Sequence, residues 1–241
     1  MVEFFVAAII APALFWAGYY YYKDRFQPEP LVKFGTAYLL GLAAAFICLK
    51  SHGLLPFVGV AEDPSALMMS GRSLPFLVYS VAVTGFLEEA FKFLPFLLVI
   101  VRFREFDEPT DGLIYAGAIA LGFASFENII QCTVLEGFER LGRAFAAPLT
   151  HAMFASIWGY AVGKARIAGR PLAWPAVRGL VLAALCHGVF NFLTTSATLH
   201  LLSAALILVV WVWVIVKLER AGKRPGQDGR GPSPGETARE G

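Results

Sequence analysis

The sequence predicts an all-α fold, a polytopic bundle of about seven transmembrane helices. Of the 241 residues, 57% are hydrophobic and only 16% are charged, whereas a soluble domain usually carries about 25% charged residues. The mean hydropathy of +0.63 is correspondingly high. The apolar residues form runs of roughly 18 or more, the length that crosses about 30 Å of hydrocarbon. These observations exclude an ordinary soluble domain.

Seven apolar runs are assigned as spans, at 4–22, 33–50, 74–101, 113–135, 148–162, 177–194 and 199–217. The first is expected to be retained, because no basic segment precedes it as in a signal peptide. It closes on Trp16 and the tyrosines at 19–22, an aromatic belt typical of a membrane interface. Residues 1–217 are therefore predicted to form one transmembrane domain. The Gly- and Pro-rich segment 218–241 is predicted to be a disordered cytoplasmic tail.

Lysine and arginine are distributed unequally between the two sides of this seven-span arrangement. Fifteen lie on the side that receives the tail, four lie on the other side, and one lies within a span. Because basic residues concentrate in cytoplasmic loops, the N-terminus is predicted outside and the C-terminus inside. The expected location is the cell membrane, with the lipid bilayer as surroundings and no nucleic-acid partner.

The third span contains three ionisable residues within five positions, Glu88, Glu89 and Lys92. Such residues are costly in the bilayer, so they are expected to face the protein interior or a water-filled cavity. Lys92 lies four residues beyond Glu88 and three beyond Glu89, so either acid can pair with it on a helix. A structural ion pair would explain one acid, but it leaves a spare carboxylate. That spare carboxylate indicates a functional site.

The fourth span contains Glu127 and Asn128 behind a face of small residues at four-residue spacing, Ala116, Ala120 and Ala124. Small residues at this spacing let helices approach closely, so Glu127 is expected to point into the bundle. Its own span offers no neighbouring base, which leaves a metal ion, a histidine or a lysine from another span to balance it. The simplest interpretation of Asn128 is a hydrogen bond between helices.

The fifth and sixth spans each add a histidine. His151 lies at the outer end of a face of small residues, and His187 lies four residues before Asn191 on an otherwise apolar helix. Either histidine alone is explained by an interhelical hydrogen bond. Four successive spans that all carry Glu, His or Asn instead favour one shared site. Such a group suits a Zn²⁺ ion with an open position or a water activated by a general base.

Three motifs in the chain occur together in one known family. They are Glu88-Glu89-Ala-Phe-Lys92, Glu108-Pro-Thr-Asp111-Gly112-Leu-Ile-Tyr115 and Gly122-Phe123-Ala-Ser-Phe126-Glu127-Asn128. With the later His151 and His187-xxx-Asn191, this pattern resembles the PrsW family of intramembrane proteases. It is distantly similar to the type II CAAX prenyl endopeptidases and the abortive-infection-like membrane proteins, although those have Phe-xxx-His where this chain has Phe123-xxx-Glu127.

The resemblance implies hydrolysis of a peptide bond in a membrane-anchored protein substrate, on the extracytoplasmic side. The substrate class it implies is a single-span anti-sigma factor. One of Glu88 and Glu89 would be the general base, and Lys92 would orient the pair. Asn191 would be an oxyanion donor. The likeliest ligands of a zinc ion, or groups that position water, would be Glu127, His151 and His187.

Other classes of function also bury charged residues. A proton- or ion-coupled transporter would do so, but it would more often show repeated, interrupted spans. A membrane scaffold would not need polar groups at one depth, and a prenyl-protein endopeptidase would open its site to the cytoplasm. Asp111, at the start of the fourth span, is expected to be a helix N-cap.

Overall fold

The computed structural model describes residues 2–221 except 24, 26, 62, 63, 136 and 197, and all regular secondary structure in that part is helical. The α-helices are α1 Val2–Lys23, α2 Leu31–His52, α3 Ser65–Met69, α4 Ser73–Tyr79, α5 Phe86–Leu98, α6 Asp111–Val134, α7 Gly137–Ile167, α8 Ala173–Thr195 and α9 His200–Ala221. A π-helical segment, Ser80–Gly85, joins α4 to α5 without a break. The predicted all-α class is confirmed.

Four helices in the described part of the chain are long and apolar enough to cross a membrane, at Leu31–His52, Asp111–Gln131, Ala173–Thr195 and His200–Arg220. The protein is therefore a membrane protein. The rod formed by α4, the π-helical segment and α5 takes the place of the predicted span 74–101. The count of seven spans and the orientation of the termini stay predictions.

Helix α6 lies at the centre of the bundle, and most of its residues are fully buried. It packs against α7 through small residues on both helices. A side chain at Gly112 or Gly159 would overlap the backbone of the opposite helix, and one at Gly163 would overlap the carbonyl of Pro109. Close approach of this kind is the usual result of small residues at helical spacing in membranes.

Several predicted boundaries differ from the structure: α7 ends at Ile167 rather than at residue 162, and α8 begins at Ala173 rather than at residue 177. Helix α7 begins at Gly137 rather than near Pro148, which lies inside the helix. The residues before Pro148 include Glu139 and Arg143. Because these charges interrupt the apolar sequence, the apolar run begins later than the helix. Helix α9 continues to Ala221, past the predicted end at residue 217. The rest of the predicted tail, 222–241, lies outside the described residues.

The connection between α5 and α6 is fastened by two side chains. The Arg166 guanidinium at the end of α7 donates hydrogen bonds to backbone carbonyls of Val101, Phe103 and Phe106. Asp111 accepts from the backbone N–H groups of Asp107 and Glu108 at 2.7 and 2.6 Å. The prediction that Asp111 caps its helix is wrong, because its carboxylate turns back to the preceding loop and Thr110 is the N-cap residue.

Candidate active site

The π-helical segment and α8 bring the third and sixth predicted spans together. Glycines face each other across this contact, since a side chain at Gly85 would meet the backbone of α8 and one at Gly188 would overlap the backbone of Val81. A π-helical turn adds a residue to the helix, and such turns are frequent at functional sites. The contact places His187 of α8 beside Glu89, on the first turn of α5.

Glu89 is fully buried and surrounded by hydrogen-bond donors. Its Oε1 accepts from Lys92 Nζ at 2.8 Å and from His187 Nδ1 at 2.8 Å. Its Oε2 accepts from Trp158 Nε1 of α7 at 2.9 Å. A buried carboxylate with three donors has its charge compensated. Glu89 therefore ties α5, α7 and α8 together and presents no oxygen to the cavity.

The partners of the two histidines fix the positions of their protons. A carboxylate can only accept and an ammonium can only donate, so His187 carries its proton on Nδ1, towards Glu89, and keeps a lone pair on Nε2. His151 accepts from Lys92 Nζ on Nδ1 at 2.8 Å. Its Nε2 lies 2.8 Å from Glu127 Oε2 and carries the proton. The protonated nitrogen of His187 thus contacts Glu89, and that of His151 contacts Glu127.

Glu88 faces both of the unprotonated nitrogens. Its Oε2 lies 3.5 Å from His187 Nε2 and 4.0 Å from His151 Nδ1. This buried oxygen has no hydrogen-bond partner among the described residues. Three electron-rich atoms thus face one another, all within 4.8 Å, in a group that could hold a metal ion. The donor set fits a cation, and an ion there would displace only the Lys92 ammonium from His151.

A cavity of about 520 Å³ adjoins this group. Glu88, Glu127, His151, His187 and Asn191 all line it, so the structure brings most of the predicted site residues to one space. Lys92 and Glu89 are fully buried and lie behind the residues that line the cavity. Asn128 is not part of the site, since its amide donates to the Ala144 carbonyl at 3.2 Å. That interhelical hydrogen bond is the predicted one.

Two side chains of the site were missed in the sequence. Trp158 lies seven residues after His151, two helical turns along the same face of α7, so the helical spacing could have indicated it. Arg143 lines the cavity and its Nη2 lies 3.9 Å from Glu127 Oε2. It was assigned to a loop because the start of α7 was placed too late. Glu127 is therefore balanced by a histidine and an arginine.

A group of carboxylates and imidazoles that lines a cavity among apolar helices is typical of a membrane-embedded hydrolase. Comparison with family models agrees: residues 29–218 match the PrsW family of intramembrane metalloproteases. The chain belongs to this family, and it is an intramembrane peptidase.

Individual relatives support the assignment over most of the chain. Protease PrsW of Oceanobacillus iheyensis is 30% identical over 220 residues, covering 90% of this chain and 96% of the relative. Protease PrsW of Bacillus subtilis is 29% identical over 211 residues, covering 86% and 90%. No solved structure matches the chain. The predicted family and enzyme class are confirmed, and the transporter and scaffold alternatives are set aside.

Proposed function

We propose that the chain cleaves a membrane-anchored protein by zinc-dependent hydrolysis at the group formed by Glu88, His151 and His187. The observation that carries this proposal is the buried Oε2 of Glu88, which faces two imidazole lone pairs and no donor. Catalytic zinc sites commonly use three protein ligands and a water. When bound, the ion supplies Lewis-acid activation of that water.

Glu89 and Glu127, the two carboxylates that contact the histidines, then have separate roles. Glu89 orients His187, in the manner of the carboxylates that hold ligating histidines in metal sites. Glu127 contacts His151 and also lines the cavity, so it is the carboxylate left to accept the proton of the attacking water. Asn191, one turn beyond His187, lies where its amide can donate to the oxyanion. Relative to the sequence-based interpretation, Glu88 and Glu127 exchange roles.

The same proposal includes the side of the membrane. The cavity is bordered by Gln131 near the end of α6, by Arg143 near the start of α7 and by Thr194 near the end of α8. The opposite helix ends carry Lys33 and Arg166, which belong to the side rich in basic residues. This position supports a cut near the extracytoplasmic surface, in a seven-span protein of the cell membrane. The family resemblance implies a single-span anti-sigma factor as substrate.

Metal content and variants test the chemistry together. Purified protein should contain one zinc per chain, lose activity with 1,10-phenanthroline and regain it with micromolar Zn²⁺. Glu88→Gln should lose both zinc and activity. Glu127→Gln should keep zinc but cleave at least about 100-fold more slowly, the usual lower effect of removing a general base. Glu139→Gln, which alters an exposed carboxylate of α7, is the control.

Two results would overturn parts of this assignment. Full activity in metal-free protein would make Glu88 the base of a metal-independent glutamate peptidase. Unchanged cleavage by both the Glu88→Gln and the Glu127→Gln variants would move the reaction away from this cavity.

A further inference from the structure

We propose that a second cavity, beside the active site, is a subsite for an apolar side chain next to the scissile bond of the substrate. The inference rests on the proposed function and extends it to substrate specificity. The second cavity has a volume of about 270 Å³. It shares part of its wall with the larger cavity, and the shared residues are Pro64, Thr84, Glu88, Glu127 and Gln131.

The shared wall determines what can occupy the second cavity. Glu88 and Glu127 border both spaces, so a peptide bond hydrolysed between the proposed metal ligand and the proposed base lies at the boundary of the two cavities. A residue next to that bond can then turn its side chain into the smaller space while the chain continues through the larger one. The occupant is therefore a side chain of the substrate.

Beyond the shared wall, the smaller cavity is lined mainly by apolar side chains, and His52 and Tyr79 are its polar-bearing members there. Much of the smaller cavity is lined by apolar side chains of α2 and α6, namely Ala45, Cys48, Leu49, Phe123, Phe126 and Ile130. The part of the larger cavity beyond the shared wall includes Arg143, Asn191, Thr194 and Thr195. Pockets that fix orientation combine an apolar surface with a few polar groups. An apolar side chain therefore suits the smaller cavity.

Two small residues of α2 set the size of the smaller cavity. Ala45 and Cys48 are each only 3% exposed and pack beside Phe123. Both line the cavity, so a larger residue at either position would fill space that the substrate side chain needs. A smaller residue at position 48 would enlarge that space. The cavity can therefore be altered in both directions without changing Glu88, Glu127 or either histidine.

The test uses Ala45→Leu and a set of single-span substrates that differ only at the residues flanking the scissile bond. Filling the cavity should lower kcat/KM for substrates with Leu or Phe at the responsive position by at least about 10-fold, because hydrophobic pockets discriminate by about that factor. Cleavage of the substrate with Ala at that position should be retained. Ala43→Leu, an exposed position on α2, should change neither.

Cys48→Ala should act in the opposite direction and favour the larger side chains, whereas Cys186→Ala, outside both cavities, is the control. Retained cleavage of the Ala substrate shows that the peptidase function is intact. If Ala45→Leu and Cys48→Ala alter all substrates equally, the cavity is not a side-chain subsite. Failure of the unaltered enzyme to cleave any substrate of the set would instead count against the proposed function.

Discussion

Glu88 and Glu89 are neighbours in the chain with opposite surroundings. Glu89 receives three hydrogen bonds, from a lysine, a histidine and a tryptophan, and is closed off from the cavity. Glu88 faces the cavity with an oxygen that lacks a donor. Because successive residues of an α-helix point about 100° apart around its axis, the acidic pair supplies one buried structural anchor and, in the proposed function, one metal ligand. The same substitution would therefore remove a structural anchor at Glu89 and a proposed metal ligand at Glu88.

Trp158→Phe tests the anchoring role of Glu89. The substitution removes one donor to a buried carboxylate, a type of hydrogen bond worth roughly 1.5–3 kcal/mol, but keeps an aromatic ring against Phe93 and Phe96. We expect a lower thermal midpoint and a kcat about 10-fold lower, with little change in KM. The Nε1 of Trp211 has no hydrogen-bond partner among the described residues, so Trp211→Phe should be nearly neutral. Equal effects of the two variants would contradict the anchor.

Helical spacing in the sequence was sufficient to expect that Lys92 pairs with one of the two acids. It could not decide which, because Lys92 is three residues from one and four from the other. The choice depends on Trp158 and His187, which lie 69 and 98 residues away from Glu89 in the chain. Those contacts depend on how α7 and α8 pack, and no local pattern encodes that packing.

The π-helical segment and α8 pack so closely that they form one structural unit. The extra residue of the π-helical turn shifts the face that α5 presents, and glycines on both sides allow the backbones to touch. This close contact holds His187 at hydrogen-bonding distance from Glu89. The geometry of the site thus depends on two residues that have no side chain, Gly85 and Gly188.

Gly188→Ala should disturb this unit. The added methyl group would overlap the backbone of Val81 and the carbonyl oxygen of Ser80, so α8 must move away and carry His187 with it. Overpacking of this kind typically costs about 1–3 kcal/mol. We expect reduced thermal stability and loss of most proteolytic activity. Gly35→Ala in α2, where a methyl group meets nothing within 4 Å, should leave both unchanged.

Helix α7 shows why hydropathy located some elements and not others. Apolar runs correctly indicated α2, α6, α8 and α9, which are continuous, apolar and long enough to cross a membrane. The first turns of α7 carry charged residues, so the pattern of apolar runs stops at Pro148 although the helix begins at Gly137. Arg143 belongs to these charged first turns and lines the cavity. One residue of the candidate site thus lies in the part of the helix that least resembles a span.

At the scale of the whole molecule, the bundle has two chemically different ends. One end is tied by ion pairs, Lys23 with Glu219 at 3.2 Å and Lys33 with Glu105 at 3.5 Å. The active-site cavity adjoins the other end. The positive-inside rule predicts that the first end is cytoplasmic. A substrate would then meet the site from the extracytoplasmic side.

Cysteine labelling in cells tests this orientation. In a protein whose native cysteines are replaced, Phe138→Cys should react with an impermeant maleimide in intact cells, since Phe138 is 92% exposed near the cavity end. Ala168→Cys, in the connection that follows α7, should react only after the membrane is opened. The reverse pattern would place the site on the cytoplasmic side and favour a prenyl-endopeptidase type of access.

The pairing of Lys92 with Glu89 also has a consequence for biogenesis. Helix α5 is synthesised before α7 and α8, so neither Trp158 nor His187 exists when the two acids first meet the membrane. An ionised residue at the bilayer centre costs about 2.5–3.5 kcal/mol on insertion scales, and only Lys92, three residues away, is available at once. We expect that pairing of Lys92 with Glu89 lowers the cost of inserting α5 before α7 and α8 are made. A nascent chain ending after α6 should insert less efficiently with Lys92→Gln, as glycosylation mapping would report, and equal insertion would refute this order of events.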